Sequence, residues 1–156
     1  MQVVFAALIA IAGTLLGSLT TFLFQRWTVA RTESLTRTER LRQERMKAYS
    51  VFAGAVLDLR VKQGARWGAK RRADASPEAY AEAKAIQNQS RAAAWQALCL
   101  VRLLTDDDEA LRLAGAAMEL AAGIHTLVTL EELDKRMGEV RQAVDRFIDR
   151  AASLVR

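Results

Sequence analysis

Histidine, cysteine and proline each occur once in the 156 residues, and the aromatic residues make up only 6% of them. The single cysteine, Cys99, excludes an intramolecular disulfide and accords with a reduced compartment. Its neighbours Leu98, Leu100 and Val101 lead us to expect a buried structural thiol. The single histidine, His125, falls one turn beyond Ala121 on an apolar helical stripe, with no Ser, Cys or paired carboxylate placed beside it by sequence. It reads as a core or helix-end imidazole rather than a catalytic base. Gly-rich phosphate loops, nucleophile elbows and zinc-ligand spacings are missing. The one acidic run, Asp106, Asp107, Asp108 and Glu109, suits the positive end of a helix dipole and lacks the further ligands that a metal would need. A non-enzymatic protein without cofactor or metal is therefore expected. With one proline and no period-two alternation, the chain reads as all-α.

Charge is also missing where it matters most. Residues 3–24 carry no charged side chain and are mostly apolar. As a helix rising about 1.5 Å per residue, they reach roughly 33 Å, enough for a hydrocarbon core of about 30 Å. No Lys or Arg occurs among the first 25 residues, so the basic start of a secretory signal is lacking and a retained transmembrane anchor is expected instead. Arg26, Arg31, Arg37, Arg40, Arg42, Arg45 and Lys47 all follow the run, which places the N-terminus outside and the remainder in the cytoplasm. Trp27 beside Arg26 suits the membrane interface. Within the run, Ala6, Ala10, Gly13, Gly17 and Thr21 align small residues on one helix face. Such a stripe lets a second span, from another copy or another membrane protein, approach closely, although Gly and Ala are also common in membrane helices generally.

These features divide the chain into an anchor (residues 1–27), a basic juxtamembrane helical stalk (28–45) and a helical domain (46–156). Residues 26–72 carry 13 basic against 4 acidic side chains, whereas residues 73–156 carry 10 against 14. The basic excess suits the anionic cytoplasmic leaflet, where each nearby cation contributes about 1 kcal/mol before screening. A helix from Arg31 to about Gln63 turns Met46, Tyr49, Phe52, Val56 and Leu59 inward, and residues 64–76 form a joint around Gly64 and Gly68. Ser76 and Pro77 start a second helix that runs to about Leu104, with Tyr80, Ala83, Ala94, Leu98 and Val101 inward. Its half from Ala92 onward is apolar nearly all round, which predicts burial at a bundle centre. A third helix ends near Gly123, and Thr129 with Glu132 forms a capping box for the last. There Leu130, Leu133, Met137, Val140, Val144, Phe147, Ala151 and Leu154 alternate spacings of three and four. This seam fits either one face of an antiparallel four-helix bundle or a coiled coil with another chain.

The cluster Lys62, Arg66, Trp67, Lys70, Arg71 and Arg72 is the candidate surface. Cations around an aromatic ring could hold phosphates of a nucleic acid or another anionic ligand, or meet an acidic protein; solvated charge is the plainer alternative.

The strings Gly13-Thr14-Leu15-Leu16-Gly17-Ser18, Phe24-Gln25-Arg26, Glu39-Arg40-Leu41-Arg42-Gln43-Glu44-Arg45 and Arg91-Ala92-Ala93-Ala94-Trp95-Gln96-Ala97-Leu98 resemble a family of small actinobacterial membrane proteins. Some members carry the name KilB after a streptomycete plasmid-spread protein. The resemblance implies a cytoplasmic-membrane protein that assists plasmid spread between mycelial compartments, with no catalytic residue to carry over. A membrane-anchored interaction or accessory protein is therefore expected, with a tethered binder of nucleic acid or another anionic ligand as the alternative.

Overall fold

The computed structural model describes the backbone of residues 2–72 and 76–156, with side chains from residue 36 onward. Four α-helices follow one another: α1 (Gln2–Arg71), α2 (Pro77–Leu104), α3 (Asp108–Ala122) and α4 (Leu130–Leu154), with a 3-10 turn (Ile124–Thr126) before the last. No strand occurs among the described residues. The chain forms two compact units, one ending at Leu41 and one covering Arg42–Arg156. Backbone helix continues through the 3–24 run, but the side chains there, and with them the stripe Ala6, Ala10, Gly13, Gly17 and Thr21, lie outside the described set. Among the described residues no helix is long and apolar enough to cross a membrane.

The second unit is a four-helix bundle whose starts are written locally. The Ser76 hydroxyl accepts from the Ala79 amide at 3.1 Å with Pro77 at the first helical position. Asp107 caps α3 by accepting from the Ala110 amide at 2.8 Å. Thr129 and Glu132 close the predicted capping box, the carboxylate accepting from the Thr129 amide at 3.0 Å and the hydroxyl from the Glu132 amide at 3.1 Å. Cross-helix bonds fix the direction of the helices. Tyr49 meets Thr105, Ser90 donates to Asp58, and Arg66 reaches Gln87, so residues later in α1 meet residues earlier in α2. Arg42 to Val155 and Arg60 to Met137 run α4 antiparallel to α1, and Arg150 to Asp107 runs it antiparallel to α3.

Each helix sends a stripe to one core. Phe52, Val56 and Leu59 of α1, Leu98 and Val101 of α2, and Val140, Val144 and Phe147 of α4 are essentially inaccessible. From α3 the contribution is largely alanine, with Ala110, Ala114, Ala117 and Ala121 fully buried beside Met118. Small side chains let α3 lie close to its neighbours, and the larger rings of α1 and α4 fill the centre. The Phe147 ring meets Phe52 at 5.0 Å and Tyr49 at 5.8 Å, both edge to face. The heptad seam of α4 thus faces the interior of its own bundle from Val140 onward, whereas Leu130 at its start is 61% exposed.

Four expectations are corrected. The joint is shorter than residues 64–76, because α1 continues through Gly64 and Gly68 to Arg71. Two glycines in a helix cost about 1 kcal/mol each, a loss offset here by the contacts that Gln63, Arg66 and Trp67 make from the same turns. The second half of α2 is not buried all round. Trp95 and Leu100 are more than two-fifths exposed and Leu103 is 81% exposed, because only one stripe of the helix meets the bundle. Cys99 lies on this outer side and is exposed rather than buried. Met46 is likewise partly exposed, so the inward face of α1 starts at Ala48 and Tyr49.

Candidate functional site

The six residues of the basic cluster leave the last turns of α1 in two directions. Lys62, Arg66 and Lys70 recur every four residues and form a row along one side of the helix. Trp67 and Arg71 form a second row. On the first, Arg66 donates to the Gln87 side-chain Oε1 at 2.9 Å and to the Tyr80 hydroxyl at 3.2 Å, and its guanidinium carbon lies 5.8 Å from the Tyr80 ring centre. Lys62 lies 4.0 Å from Asp58, whose carboxylate accepts from Ser90 at 2.6 Å. On the second row, the Trp67 indole nitrogen donates to the Leu127 carbonyl at 2.8 Å, and Arg71 donates to the same oxygen. The Arg71 guanidinium also stacks 4.4 Å from the centre of the Trp67 ring. Arg72 is exposed, and its amide closes the end of α1 on the Gly68 carbonyl at 3.2 Å.

Arg66 and Lys70 therefore face α2, whereas Trp67 and Arg71 tie α1 to the segment before α4. The facing side of α2 presents Tyr80, Lys84, Gln87 and Arg91, spaced four, three and four apart on one stripe. Gln87 is 1% exposed and gives Arg66 a fixed acceptor. His125 lies in the 3-10 turn, its Nδ1 3.0 Å from the Ala122 carbonyl, which also accepts from the Gln63 side-chain amide at 2.9 Å. None of Arg66, Lys70, Lys84 and Arg91 forms an ion pair among the described residues.

Two titrating groups report the resulting field. The hydrogen bond from Arg66 holds the Tyr80 hydroxyl below the usual phenol range, and the charges of Arg66, Lys70 and Lys84 add to the effect. His125 is held below the usual imidazole range first by burial and then by the charges of Arg66, Arg91 and Lys70, against the opposing pull of its bond to Ala122. A histidine with a depressed folded pKa lets the unfolded chain take up the proton first as pH falls. Its contribution is complete above about pH 6.5 and declines as pH drops from there toward the folded value. Melting temperatures of the parent should fall between pH 7.5 and pH 5.5, and His125→Gln should flatten that slope. An equal slope in both proteins would show that His125 does not titrate differently on unfolding.

Sequence reasoning missed Tyr80, Lys84, Gln87 and Arg91 because they stand 14 to 25 residues beyond Arg66 and join it only when α2 folds back. The signal was present as polar residues at helical spacing on a helix whose other faces are richer in alanine.

Other polar groups serve the fold. In the cleft lined by Arg45, Tyr49, Thr105 and Asp107, Tyr49 is bonded to Thr105, and Asp107 is held by Arg150 and the Ala110 amide. The Arg150 hydrogen bonds, followed by the amide, keep the Asp107 carboxyl below its ordinary range. Within the acidic run Asp107 is thus a cap and an ion-pair partner, and Glu109 pairs with Arg112 at 2.6 Å.

The family model for the KilB plasmid transfer protein matches residues 46–155, nearly all of the bundle unit, including the basic end of α1 and the stripe of α2 beside it. The chain belongs to that family. Comparison with curated proteins and with solved structures finds no match. The KilB match begins after the basic stalk, so the family relationship rests on the bundle and not on the apolar N-terminal run.

Proposed function

We propose that this chain is a non-enzymatic accessory of plasmid transfer or spread, anchored in the cytoplasmic membrane by residues 3–24 with its bundle in the cytoplasm. The family match over residues 46–155 carries the plasmid-related role. The uncharged run and the seven cations that follow it support the anchor and its orientation. Non-enzymatic action is supported by what the polar groups do: Asp107, Glu109, Glu132, Tyr49 and Thr105 are committed to caps, ion pairs and core bonds. Partners are the lipid bilayer and either a second copy or another membrane protein, with the small-residue stripe of the span as one contact surface.

Disrupting the gene in its own host should reduce plasmid transfer or spread. Full-length protein should restore it, and a chain lacking residues 3–24 should not. Undiminished spread in the disrupted strain would refute the role, and full rescue by the truncated chain would refute the need for the anchor.

A second reading, capture of an anionic partner, is favoured by one observation. Arg66 bridges α1 to Gln87 and Tyr80 of α2, and the antiparallel register places Lys70, Lys84 and Arg91 along the same face, none of the four forming an ion pair among the described residues. Like charges brought together in this way repel, and an anion entering among them relieves the repulsion.

A further inference from the structure

Resting on that second reading, we infer that the face where the end of α1 meets the first half of α2 is a binding site for the phosphodiester backbone of a nucleic acid strand. Its cations come from Arg66, Lys70, Lys84 and Arg91, and the exposed tip formed by Arg71 and Arg72 does not belong to it.

Arg66 is anchored by Gln87 and Tyr80, so its guanidinium is held in place before any ligand arrives. Lys70, Lys84 and Arg91 are exposed, and the antiparallel register set by Ser90 on Asp58 and Arg66 on Gln87 brings the α2 pair alongside the last turns of α1. Lys70 acts on both Tyr80 and His125, Lys84 on Tyr80 and Arg91 on His125. Arg66 and Lys70 are separated by about 6 Å of helix rise, and Lys84 and Arg91 by about 10 Å. A spread of two helical turns exceeds the reach of one phosphate group and suits consecutive phosphates along a strand. Single-strand binding grooves combine a cationic track with aromatic surface, and here the half-buried Tyr80 ring stands among the cations. A lipid surface fits less well, since docking on a membrane needs large aliphatic side chains to enter the acyl boundary. The stripe that faces α1 offers Tyr80, Lys84, Gln87 and Arg91 instead. Arg71 lies over Trp67 and donates to the Leu127 carbonyl, so it belongs to the row of α1 that meets the α3–α4 connection and not to the row that reaches Tyr80 and Gln87.

Full-length protein in nanodiscs of zwitterionic lipid, titrated with a fluorescent 20-nucleotide single-stranded DNA, provides the test. Binding is expected, weakening steeply with added salt as counterion release requires. Lys70→Glu with Arg91→Glu should weaken it at least tenfold, and Arg71→Glu with Arg72→Glu should weaken it clearly less. The basic stalk contributes its own attraction, so a local readout is needed, and the single histidine supplies one. In protein labelled at histidine, saturating DNA should raise the pKa of His125, because phosphates beside Arg66, Lys70 and Arg91 offset the charges that depress it. An unmoved His125 titration at saturation would overturn the inference even if DNA binds.

Equal or greater loss in the Arg71/Arg72 variant would also overturn it, while leaving anion capture by the tip intact. Binding to phosphatidylglycerol vesicles but not to DNA, weakened by the Lys70/Arg91 pair, would assign this face to lipid headgroups instead. Absence of binding to either probe would remove both this site and the anionic-partner reading. Matching melting temperatures of parent and variants would confirm that the reversals act on binding rather than on folding.

Discussion

Phe147→Ala should destabilise the bundle by about 3–5 kcal/mol, the range for emptying a fully buried phenylalanine site. The ring has no accessible surface and contacts Phe52 and Tyr49 edge to face, so its removal forfeits transfer energy and two aromatic contacts and leaves a void between α1 and α4. Neighbours cannot easily collapse into that void. Phe52 is itself fully buried, and the Tyr49 hydroxyl is tied to Thr105. Single domains are commonly stable by only 5–15 kcal/mol, so this one change should remove a large part of the total. Leu130→Ala on the same seam should change stability little, because Leu130 is 61% exposed. Denaturant unfolding of both variants beside the parent is the check. A neutral Phe147→Ala would mean that the α4 seam does not face its own bundle and would revive pairing between chains.

How far the fold is legible in sequence depends on the range over which each feature is determined. Ser76 with Pro77 and Thr129 with Glu132 were readable because a cap is satisfied within four residues. The α4 seam was readable because eight apolar residues keep one period, although only the folded bundle decides that its partner is intramolecular. The end of α1 was not. Gly64 and Gly68 look like a joint, and what carries the helix past them is bonding to Ala122, Gln87 and Leu127, residues that sequence does not place nearby.

The outer side of α2 misled for a related reason. Ala, Trp, Cys and Leu around the whole circumference suggest burial, but a bundle of four helices has neighbours for only part of each circumference. Trp95, Cys99 and Leu103 fall on the part without one in this unit. The cationic face was legible only in half. Arg66 and Lys70 stood out as local charge density, and their counterparts Lys84 and Arg91 needed the antiparallel return of α2. The proximity of Trp67 to the same cations suggested a base-stacking ring, whereas the structure gives that indole to Arg71 and Leu127.

Removal of residues 1–27 should move the protein from the membrane to the soluble fraction almost completely. The run at residues 3–24 is the one stretch whose length and lack of charge suit a bilayer core, and it precedes all 23 Lys and Arg residues of the chain. Cations within about 15–20 residues of a span resist translocation, and five of the seven that follow the run, from Arg26 to Arg42, fall in that window.

Protease treatment of spheroplasts carrying the full chain with a C-terminal tag tests this placement most directly. The account predicts that the tag sediments with membranes after alkaline extraction, survives protease while the membrane is intact, and is digested once detergent opens it. A tag that is digested on intact spheroplasts, or that washes free at alkaline pH, would contradict it.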